Sequence, residues 1–447
     1  MGDSAAADAT PVENDAPISH TTLSNHGHPT SECSSRTREA GGSMSKGYSH
    51  IVIGAGAIGS AAAYWLSRAG AERVVVIEQF DLINTLGSSG DHSRLIRRAY
   101  HRDDYTRLTS AMFDAWAHIE ERSGLPIYLR TGGIDLAAAG SPGAGEIDEY
   151  KAAMDAASIE YENLTADEIR ERYPQWRVPD DTLGVYQADG GILDIRKSVS
   201  AHTSLAIANG VEFRPHTRAV SINVHDDGVA VTTIDGEIHA DNLVVAAASW
   251  LGDLMPDLGL NFRLTLSQEQ VGYFSAPRLT DFTPDRFPIW IHHGSEIHYG
   301  FPVYGEAAVK IARDMRGHFI TSDERVFQGD SEEPRLLQAF LAKYLPGAAG
   351  PLLSSKTCVY DMPADRDFVL DTVPGHPHVA VFNGAGHAGK FASLVGKILA
   401  DLTTHGDTAH DITPFSLTRP AIVDPEFVPT FRLGAQDHEA IPAAAGS

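Results

Sequence analysis

Residues 48–78 form one complete strand–helix–strand pattern, and this unit constrains the fold more than any other feature of the chain. An apolar strand runs into the motif GAGAIG, a helix of small and apolar residues follows, and a second apolar strand ends in a carboxylate. Gly54 permits the tight turn, Gly56 lets a pyrophosphate approach the backbone, and Gly59 lets helix and strand pack closely. The helix N-terminus offers N–H groups to the phosphates, and Glu78 is placed to accept hydrogen bonds from a ribose. The unit predicts a bound dinucleotide but does not by itself separate NAD from FAD.

Size and charge limit the class of protein. At 447 residues the chain exceeds one ordinary domain, so two domains are expected. Its 59 acidic and 35 basic residues give a net charge of −24, and no run of Lys and Arg offers a footprint for phosphates. Nucleic acid is therefore excluded as an expected partner.

Cysteine content and the lack of targeting patterns indicate a cytoplasmic protein. Two cysteines exclude a disulfide framework and suit a reducing compartment. There is neither a basic-then-apolar secretory signal nor an apolar run of about 18 residues that could span a membrane. We therefore expect no contact with a membrane.

Both ends of the chain differ in composition from the middle. Residues 1–46 are rich in Ser, Ala, Asp and Gly and lack apolar periodicity, which predicts a disordered tail. That tail holds Cys33, and Met44 near its end is a candidate start codon. Residues 434–447 are predicted to form a second loose tail. The part of the chain that can fold therefore contains one cysteine, Cys358.

The middle of the chain favours FAD over NAD. A helix is predicted at Ser198–Ala208, followed by three short strands with Asp-Gly turn signals between them. A helix and a small antiparallel meander that returns to an apolar strand are typical of FAD enzymes of the glutathione-reductase-like class. Residues 263–350 alternate apolar and polar runs, which predicts an antiparallel sheet that covers the cofactor. An amphipathic helix is predicted over residues 103–123, and a last apolar strand at Val379–Phe382 and a helix from Gly389 to Leu402 close the pattern.

The predicted fold class is α/β, with two discontinuous domains. The first is a Rossmann-like FAD-binding domain of the glutathione-reductase-like type, and the second is an α+β substrate domain built on an antiparallel sheet. The first domain is assigned to residues 47–123, 190–256 and 364–420. The second is assigned to residues 124–189 and 257–363.

Four sequence blocks, in order, resemble the monomeric sarcosine oxidase family, which includes N-methyltryptophan, pipecolate and fructosyl amino acid oxidases and belongs to the D-amino-acid-oxidase-like superfamily. The resemblance extends from residue 47 to about residue 420. The blocks are Gly54–Gly59, Gly87–Tyr100 (GSSGDHSRLIRRAY), Tyr299–Pro302 followed by Lys310, and Cys358–Tyr360 followed by Gly386–Phe391.

The resemblance implies that FAD is bound covalently through Cys358, with Gly386 in the second glycine-rich loop beside it. In the family this position forms a thioether to the 8α-methyl group of the flavin, and a nearby positive charge would help by lowering the pKa of the thiol. From the residues alone, a lone cysteine is more often a small packing residue. Both readings of Cys358 stay open at this point.

The resemblance also implies the roles of the remaining site residues. Arg97 and Lys390 match the pair that binds the substrate carboxylate, although spacing alone leaves open which of Arg94, Arg97 and Arg98 faces the substrate. Lys310 matches the lysine near flavin N5 that promotes the reaction with oxygen. Further residues at the cavity are the catalytic candidates Arg94 and His387 and the substrate-binding candidates Tyr299 and Tyr360.

The implied function is an FAD-dependent oxidase of secondary amino acids, either N-methylated or cyclic. A hydride equivalent would pass from the amine to flavin N5, the imine would hydrolyse, and O2 would be reduced to H2O2, by a monomer without a metal. The chain departs from the family at Asp314, where a histidine is usual, and at Ser89 and Gly90, which replace paired histidines. These changes fall where the amine side chain would lie. The alternatives are an amine dehydrogenase with another electron acceptor and a non-catalytic flavin-binding sensor.

Overall fold

The computed structural model describes residues 47–431, which fold into three β-sheets with helices packed against them. The two predicted tails, with Cys33 and Met44, lie outside the described residues. The strands are β1 (Tyr48–Ile53), β2 (Val74–Ile77), β3 (Ser93–Ile96), β4 (Tyr128–Arg130), β5 (Gly133–Ala138), β6 (Glu162–Thr165), β7 (Thr182–Gln187), β8 (Gly191–Asp194), β9 (Glu212–Arg214), β10 (Ala219–His225), β11 (Gly228–Thr233), β12 (Gly236–Val245), β13 (Leu264–Phe274), β14 (Ile289–His293), β15 (Ile297–Phe301), β16 (Val309–Arg313), β17 (His318–Ile320), β18 (Leu352–Pro363), β19 (Val369–Val373) and β20 (His376–Asn383). The helices are α1 (Ala57–Arg68), α2 (Asp103–Ser123), α3 (Pro142–Ala156), α4 (Ala166–Arg172), α5 (Ile195–Ala208), α6 (Leu251–Leu254), α7 (Glu332–Tyr344), α8 (Ala392–His405) and α9 (Pro420–Val423).

An eight-stranded sheet carries the predicted dinucleotide unit. Its order is β10-β11-β12-β1-β2-β9, with β20 paired to the second half of β12 and β19 paired to β20. Strands β1, β2, β9, β12 and β20 are parallel, and β10–β11–β12 form the predicted antiparallel meander. Val52 of β1 packs into a core with α1 and α8, whereas Ile51 and Ile53 face a second core on the opposite side. Burial of both faces explains why these strands are continuously apolar.

The nine-stranded sheet is mixed as a whole, although the strands within residues 263–350 pair antiparallel with one another, as predicted. Its order is β17-β13-β16-β15-β14-β5-β7-β6, with β18 paired along β13. Its pairs are antiparallel except β14 with β5, which run parallel. Those two strands come from distant parts of the chain, so no hairpin fixes their relative direction. A three-stranded antiparallel sheet, β3-β8-β4, completes the fold.

Local signals set most helix boundaries. Helix α2 spans the predicted residues 103–123, and Gly124 ends it in the left-handed conformation. Helix α5 begins at Ile195, earlier than predicted, because the Asp194 side chain accepts from the Lys197 N–H and caps the N-terminus. Helix α8 begins at Ala392 and not at Gly389, because a 3₁₀ turn precedes it.

All three sheets lie within one compact unit, so the division into an FAD-binding and a substrate domain stays a prediction. No helix between residues 47 and 431 is both long enough and apolar enough to cross a membrane.

Candidate active site

The loop after β1 has the geometry that the glycine motif predicted. Gly54 adopts φ +95°, and a Cβ there would lie 2.6 Å from the Ala246 carbonyl oxygen. A Cβ on Gly59 would lie 1.8 Å from the Gly54 oxygen, so only glycine lets α1 pack this closely on the strand. Glu78 directly follows β2, and its carboxylate accepts hydrogen bonds from the N–H groups of Ala55 (2.8 Å) and Phe80 (3.0 Å). This carboxylate therefore holds the loop in place, and its contact with a ribose stays a prediction.

A large cavity opens at this loop and continues to the nine-stranded sheet. Its volume is about 1740 Å³, which exceeds the roughly 300–1,000 Å³ of an ordinary ligand pocket. It can therefore accept a dinucleotide together with a small substrate. The predicted site residues that line it are Gly56, Arg94, Arg97, Tyr299, Lys310, Cys358, Tyr360, Gly386, His387 and Lys390. Three predicted residues, Gly54, Gly59 and Glu78, do not line the cavity and instead shape the loop beside it.

Lys310 of β16 is buried at the cavity wall and paired with a carboxylate. Its Nζ donates to Asp91 Oδ2 at 2.6 Å and to Ser93 Oγ at 3.0 Å. Asp91 Oδ1 also accepts from the Tyr273 hydroxyl (2.6 Å) and from Lys356 Nζ (2.9 Å). Burial lowers the pKa of Lys310, and Asp91 counteracts this in part. Although burial acts against ionisation of Asp91, the charge of Lys310 holds the pKa of that carboxyl well below its usual range.

The three neighbouring arginines, Arg94, Arg97 and Arg98, have different surroundings. Arg94 lines the cavity and donates to the carbonyls of Ser88, Gly90 and Ser93. Arg97 also lines the cavity, and its Nη1 donates to Asp135 Oδ1 at 2.7 Å. Arg98 does not line the cavity and pairs with Asp189 at 2.8 Å. Of the three, Arg94 and Arg97 are therefore the ones that a ligand in the cavity can reach.

Lys390 and Arg97 meet at the ring of Tyr100. Lys390 Nζ donates to the Tyr100 hydroxyl at 2.6 Å and lies 5.0 Å from the ring centroid, while the Arg97 guanidinium lies 5.8 Å from it. Within residues 47–431, Lys390 forms no ion pair with a carboxylate. Burial and the nearby charge of Arg97 lower the pKa of Lys390 to about 7. The two cations therefore form a site that an anion in the cavity would stabilise.

Cys358 lies on β18, directly opposite Glu269 of β13, and lines the cavity. Burial raises the pKa of its thiol to about 11, although the charges of Arg94 and Lys310 act in the opposite direction. The expected positive charges are thus present, but burial outweighs them, so the thiol is protonated at neutral pH. Covalent attachment of FAD at Cys358 stays a prediction.

Aromatic and charged groups close the other side of the cavity. Tyr299 and Tyr360 are enclosed, and burial raises the pKa of both hydroxyls. His387 contacts the Arg366 carbonyl through Nε2 at 3.2 Å, and burial lowers its pKa well below the usual value, so the ring is neutral. Asp314 accepts from Arg366 Nη2 with both oxygens at 3.0 Å. The residue that departs from the family pattern is thus one half of an ion pair on the cavity wall.

Sequence reasoning missed the carboxylates that pair with the predicted cations. Asp91 lies inside the block Gly87–Tyr100, three residues before Arg94, so a search for a counter-ion to Lys310 could have found it. Asp135 and His293 lie on separate strands, β5 and β14, and no motif connects them to Arg97.

Comparisons with known proteins show which families and folds the chain resembles. A family model described as "FAD dependent oxidoreductase" matches residues 49–402. Monomeric sarcosine oxidase of Bacillus sp. (strain B-0618) is 32% identical over 384 residues, which cover 85% of this chain and 98% of the relative. N-methyl-L-tryptophan oxidase of Citrobacter koseri is 31% identical over 379 residues, which cover 83% and 99%. Among solved structures, NikD, "an unusual amino acid oxidase essential for nikkomycin biosynthesis", superposes with a TM-score of 0.74 at 28% identity and covers 83% of this chain and 97% of its own.

Proposed function

The chain belongs to the FAD dependent oxidoreductase family, and from that premise we propose that it is an FAD-dependent oxidase of secondary amino acids, either N-methylated or cyclic. One observation carries the proposal: a pair of cations able to bind a carboxylate, Arg97 and Lys390, lies in the same cavity as a buried lysine, Lys310. FAD supplies the redox chemistry when bound, because it accepts a hydride equivalent from the amine carbon and passes the electrons to O2. The protein binds the substrate, orients it and places charged groups around it.

The cavity and its glycines fit FAD. The volume of about 1740 Å³ leaves room for the dinucleotide beside a substrate. The close approach at Gly54 and Gly59 brings the N-terminus of α1 to the cavity, where Gly56, Ala57 and Ile58 line it. This is the end of a helix that stabilises phosphate groups.

Arg97 and Lys390 would bind the substrate carboxylate. Arginine offers a planar set of N–H donors, and Lys390 adds a point charge that has no carboxylate partner among the described residues. A contact at about 4 Å contributes roughly 4 kcal/mol of attraction at an effective dielectric of about 20, before desolvation is subtracted. A bound carboxylate would also raise the pKa of Lys390 from its value of about 7.

The enclosed side chains would orient the amine. Tyr299 and Tyr360 line the cavity, and burial raises the pKa of both hydroxyls, so both stay protonated and can donate hydrogen bonds. His387 is neutral, and because its Nε2 faces a carbonyl, the lone pair is on Nδ1. That atom is buried and has no hydrogen-bond partner within residues 47–431, so the lone pair is available as a hydrogen-bond acceptor.

Lys310 would support the reaction with oxygen that returns the enzyme to its oxidised form. Negative charge develops on oxygen as electrons reach it, and a fixed buried cation stabilises that charge. Asp91 holds the ammonium group in place, and Arg94 adds a second positive charge nearby. H2O2 is therefore the proposed second product.

The proposal includes a covalent bond between Cys358 and FAD. The position of Cys358 in the cavity, with Arg94 and Lys310 as the cations that favour its thiolate, supports it. Acid precipitation should leave the yellow colour in the protein pellet, and Cys358→Ala should release it into the supernatant. A wild-type flavin that washes out freely would disprove the anchor while leaving the FAD fold intact. Action as a monomer in the cytoplasm is proposed from the family resemblance and the low cysteine content.

A panel of amines tests the function. The protein is mixed anaerobically with sarcosine, N-methyltryptophan, pipecolate and a fructosyl amino acid, and the flavin absorbance is followed. At least one should bleach it, and the same compound should yield H2O2 in air. Bleaching without H2O2 would point to the dehydrogenase alternative, and tight binding without bleaching would point to the sensor.

A further inference from the structure

A chain of four charged groups begins at Arg97 in the cavity and ends at the half-exposed Glu146, which lines the same cavity. Arg97 Nη1 donates to Asp135 Oδ1 at 2.7 Å, and His293 Nε2 contacts the same oxygen at 2.9 Å. The other ring nitrogen of His293, Nδ1, lies 2.9 Å from Glu146 Oε2. The side chains of Asp135 and His293 are 5% and 1% exposed, whereas Glu146 is 44% exposed. The groups come from β5, β14, α3 and the segment after β3.

The geometry determines the protonation state of His293. Each ring nitrogen faces a carboxylate oxygen at hydrogen-bond distance, and a neutral imidazole would have to point a lone pair at one of them. Both nitrogens therefore carry hydrogen, and the ring is an imidazolium. Burial opposes this charge, but the hydrogen bonds that His293 donates to Asp135 and Glu146 raise its pKa.

Other charged or titratable groups near His293 do not change this assignment. Arg97 acts against the positive charge, whereas the neighbouring His292 of β14 is neutral because burial lowers its pKa to about 4. Tyr150 of α3 packs edge-on against the ring at 5.5 Å between centroids. The two carboxylates are thus the groups that hold the proton on His293.

The balance of charge has a consequence for Arg97. Asp135 takes one of the five N–H donors of the guanidinium and fixes its position, but an isolated carboxylate there would cancel the positive charge that a ligand needs. The imidazolium on the same oxygen cancels the charge of Asp135 instead. Arg97 is therefore anchored without being neutralised.

We propose that Asp135 is a positioning residue for Arg97, and that protonated His293 is the counter-ion that keeps the charge of Arg97 available to a substrate carboxylate. The inference rests on the proposed function, because it assigns carboxylate binding to Arg97. It adds a pH-sensitive element to the cavity wall beside Arg97: affinity for a carboxylate is full while His293 is charged and falls as pH rises through its pKa.

The test measures binding of isobutyrate to the holoprotein by the perturbation of flavin absorbance, with uncharged isobutyramide as a matched ligand. Isobutyrate has no amine and is not a substrate for oxidation. His293→Gln leaves Asp135 uncompensated, so the Kd of isobutyrate should rise at least about tenfold while that of isobutyramide stays unchanged. Asp135→Asn added to His293→Gln removes the unbalanced charge and should recover part of the affinity. Asp189→Asn, which breaks the ion pair of Arg98, is the control and should leave binding unchanged.

Glu146→Gln provides a test that does not alter a buried residue. It removes one of the two carboxylates that hold the proton on His293, so the decline of isobutyrate affinity with pH should begin at lower pH than in the wild type. Lys390 titrates as well, but its contribution is the same in both proteins.

Two results would overturn the inference. One is a wild-type pH profile in Glu146→Gln, and the other is a double variant that binds isobutyrate more weakly than His293→Gln alone. Arg97→Met separates this failure from that of the proposed function. If it leaves isobutyrate binding unchanged, the carboxylate role of Arg97 is wrong and this inference fails with it. If Arg97→Met weakens binding and the His293 and Glu146 variants do not, only this inference fails.

Discussion

Replacement of Asp91 by asparagine should disable the reaction with oxygen while sparing the reaction with the amine. Asparagine has nearly the same shape as aspartate but carries no charge. In the wild type, Lys310 Nζ lies 2.6 Å from Asp91 Oδ2, and in the variant it has no carboxylate partner among residues 47–431. Two unit charges about 4 Å apart attract by roughly 4 kcal/mol at an effective dielectric of about 20, so the loss of Asp91 removes a large part of the attraction that keeps Lys310 charged. Burial and Arg94 already lower the pKa of Lys310. Without Asp91, the pKa of Lys310 should therefore fall further, and more of the lysine should be neutral at a given pH.

Stopped-flow absorbance separates the two half-reactions. The rate of anaerobic reduction by the amine should change by no more than a few-fold in Asp91→Asn, because Asp91 does not touch Arg97 or Lys390. The rate at which the reduced protein reacts with O2 should fall by about one to two orders of magnitude, as expected when a preorganised charge is lost. Lowering the pH returns the proton to Lys310, so the oxygen rate of Asp91→Asn should recover in acid. Lys310→Met should show the same loss without recovery.

The control is Asp401→Asn, which makes the same chemical change in the Lys397–Asp401 ion pair of α8. Loss of one partner of a buried pair can also cost about 3–5 kcal/mol of stability. Thermal unfolding of each variant therefore accompanies the kinetics. An oxygen rate of Asp91→Asn equal to that of the wild type between about pH 6 and 9 would refute the reasoning, because it would mean that Asp91 does not keep Lys310 charged.

Two further predictions follow from the geometry. Because the pKa of Lys390 is about 7 in the free protein and a carboxylate favours its charged form, isobutyrate binding should take up a proton above about pH 7, and the contribution of Lys390 should lower affinity by up to about tenfold per pH unit. Calorimetry in buffers of different ionisation enthalpy measures that proton, and a smaller uptake in Lys390→Met than in the wild type identifies the group. Gly59→Ala would place a Cβ 1.8 Å from the Gly54 oxygen, so the FAD content and the melting temperature should drop. Gly145→Ala lies in open space within α3 and should stabilise the folded protein by about 0.5–1 kcal/mol. Equal melting temperatures for the two variants would contradict this.

Much of the FAD-binding part of the fold could be predicted from local patterns. The turn at Gly54, the helix after it and the meander β10–β11–β12 all have signals within a few residues, because φ/ψ limits and apolar periodicity act locally. Helix α2 begins and ends at the predicted residues for the same reason. The family blocks then indicated which side chains to expect together, and Lys310, Cys358, Arg97 and Lys390 do line one cavity.

The pairing of strands was harder to predict. Nothing in Gly133–Ala138 or Ile289–His293 indicates that these two strands run parallel, because they are far apart in the chain and no turn joins them. The start of α8 was also missed, since the residues of a 3₁₀ turn and of an α-helix have similar propensities and only the packing of the loop separates them.

By itself, the sequence determined the dinucleotide loop, the order of elements around it and the family of the chain, because each depends on residues close together or on blocks at fixed spacing. Which carboxylate forms an ion pair with Lys310 and which with Arg97 follows only from the folded structure. It pairs Lys310 with Asp91 and Arg97 with Asp135, joins His293 to that second pair, and turns Arg98 away from the cavity. Such pairs form between segments that folding brings together, and since charge acts through space and not along the chain, no local pattern announces them.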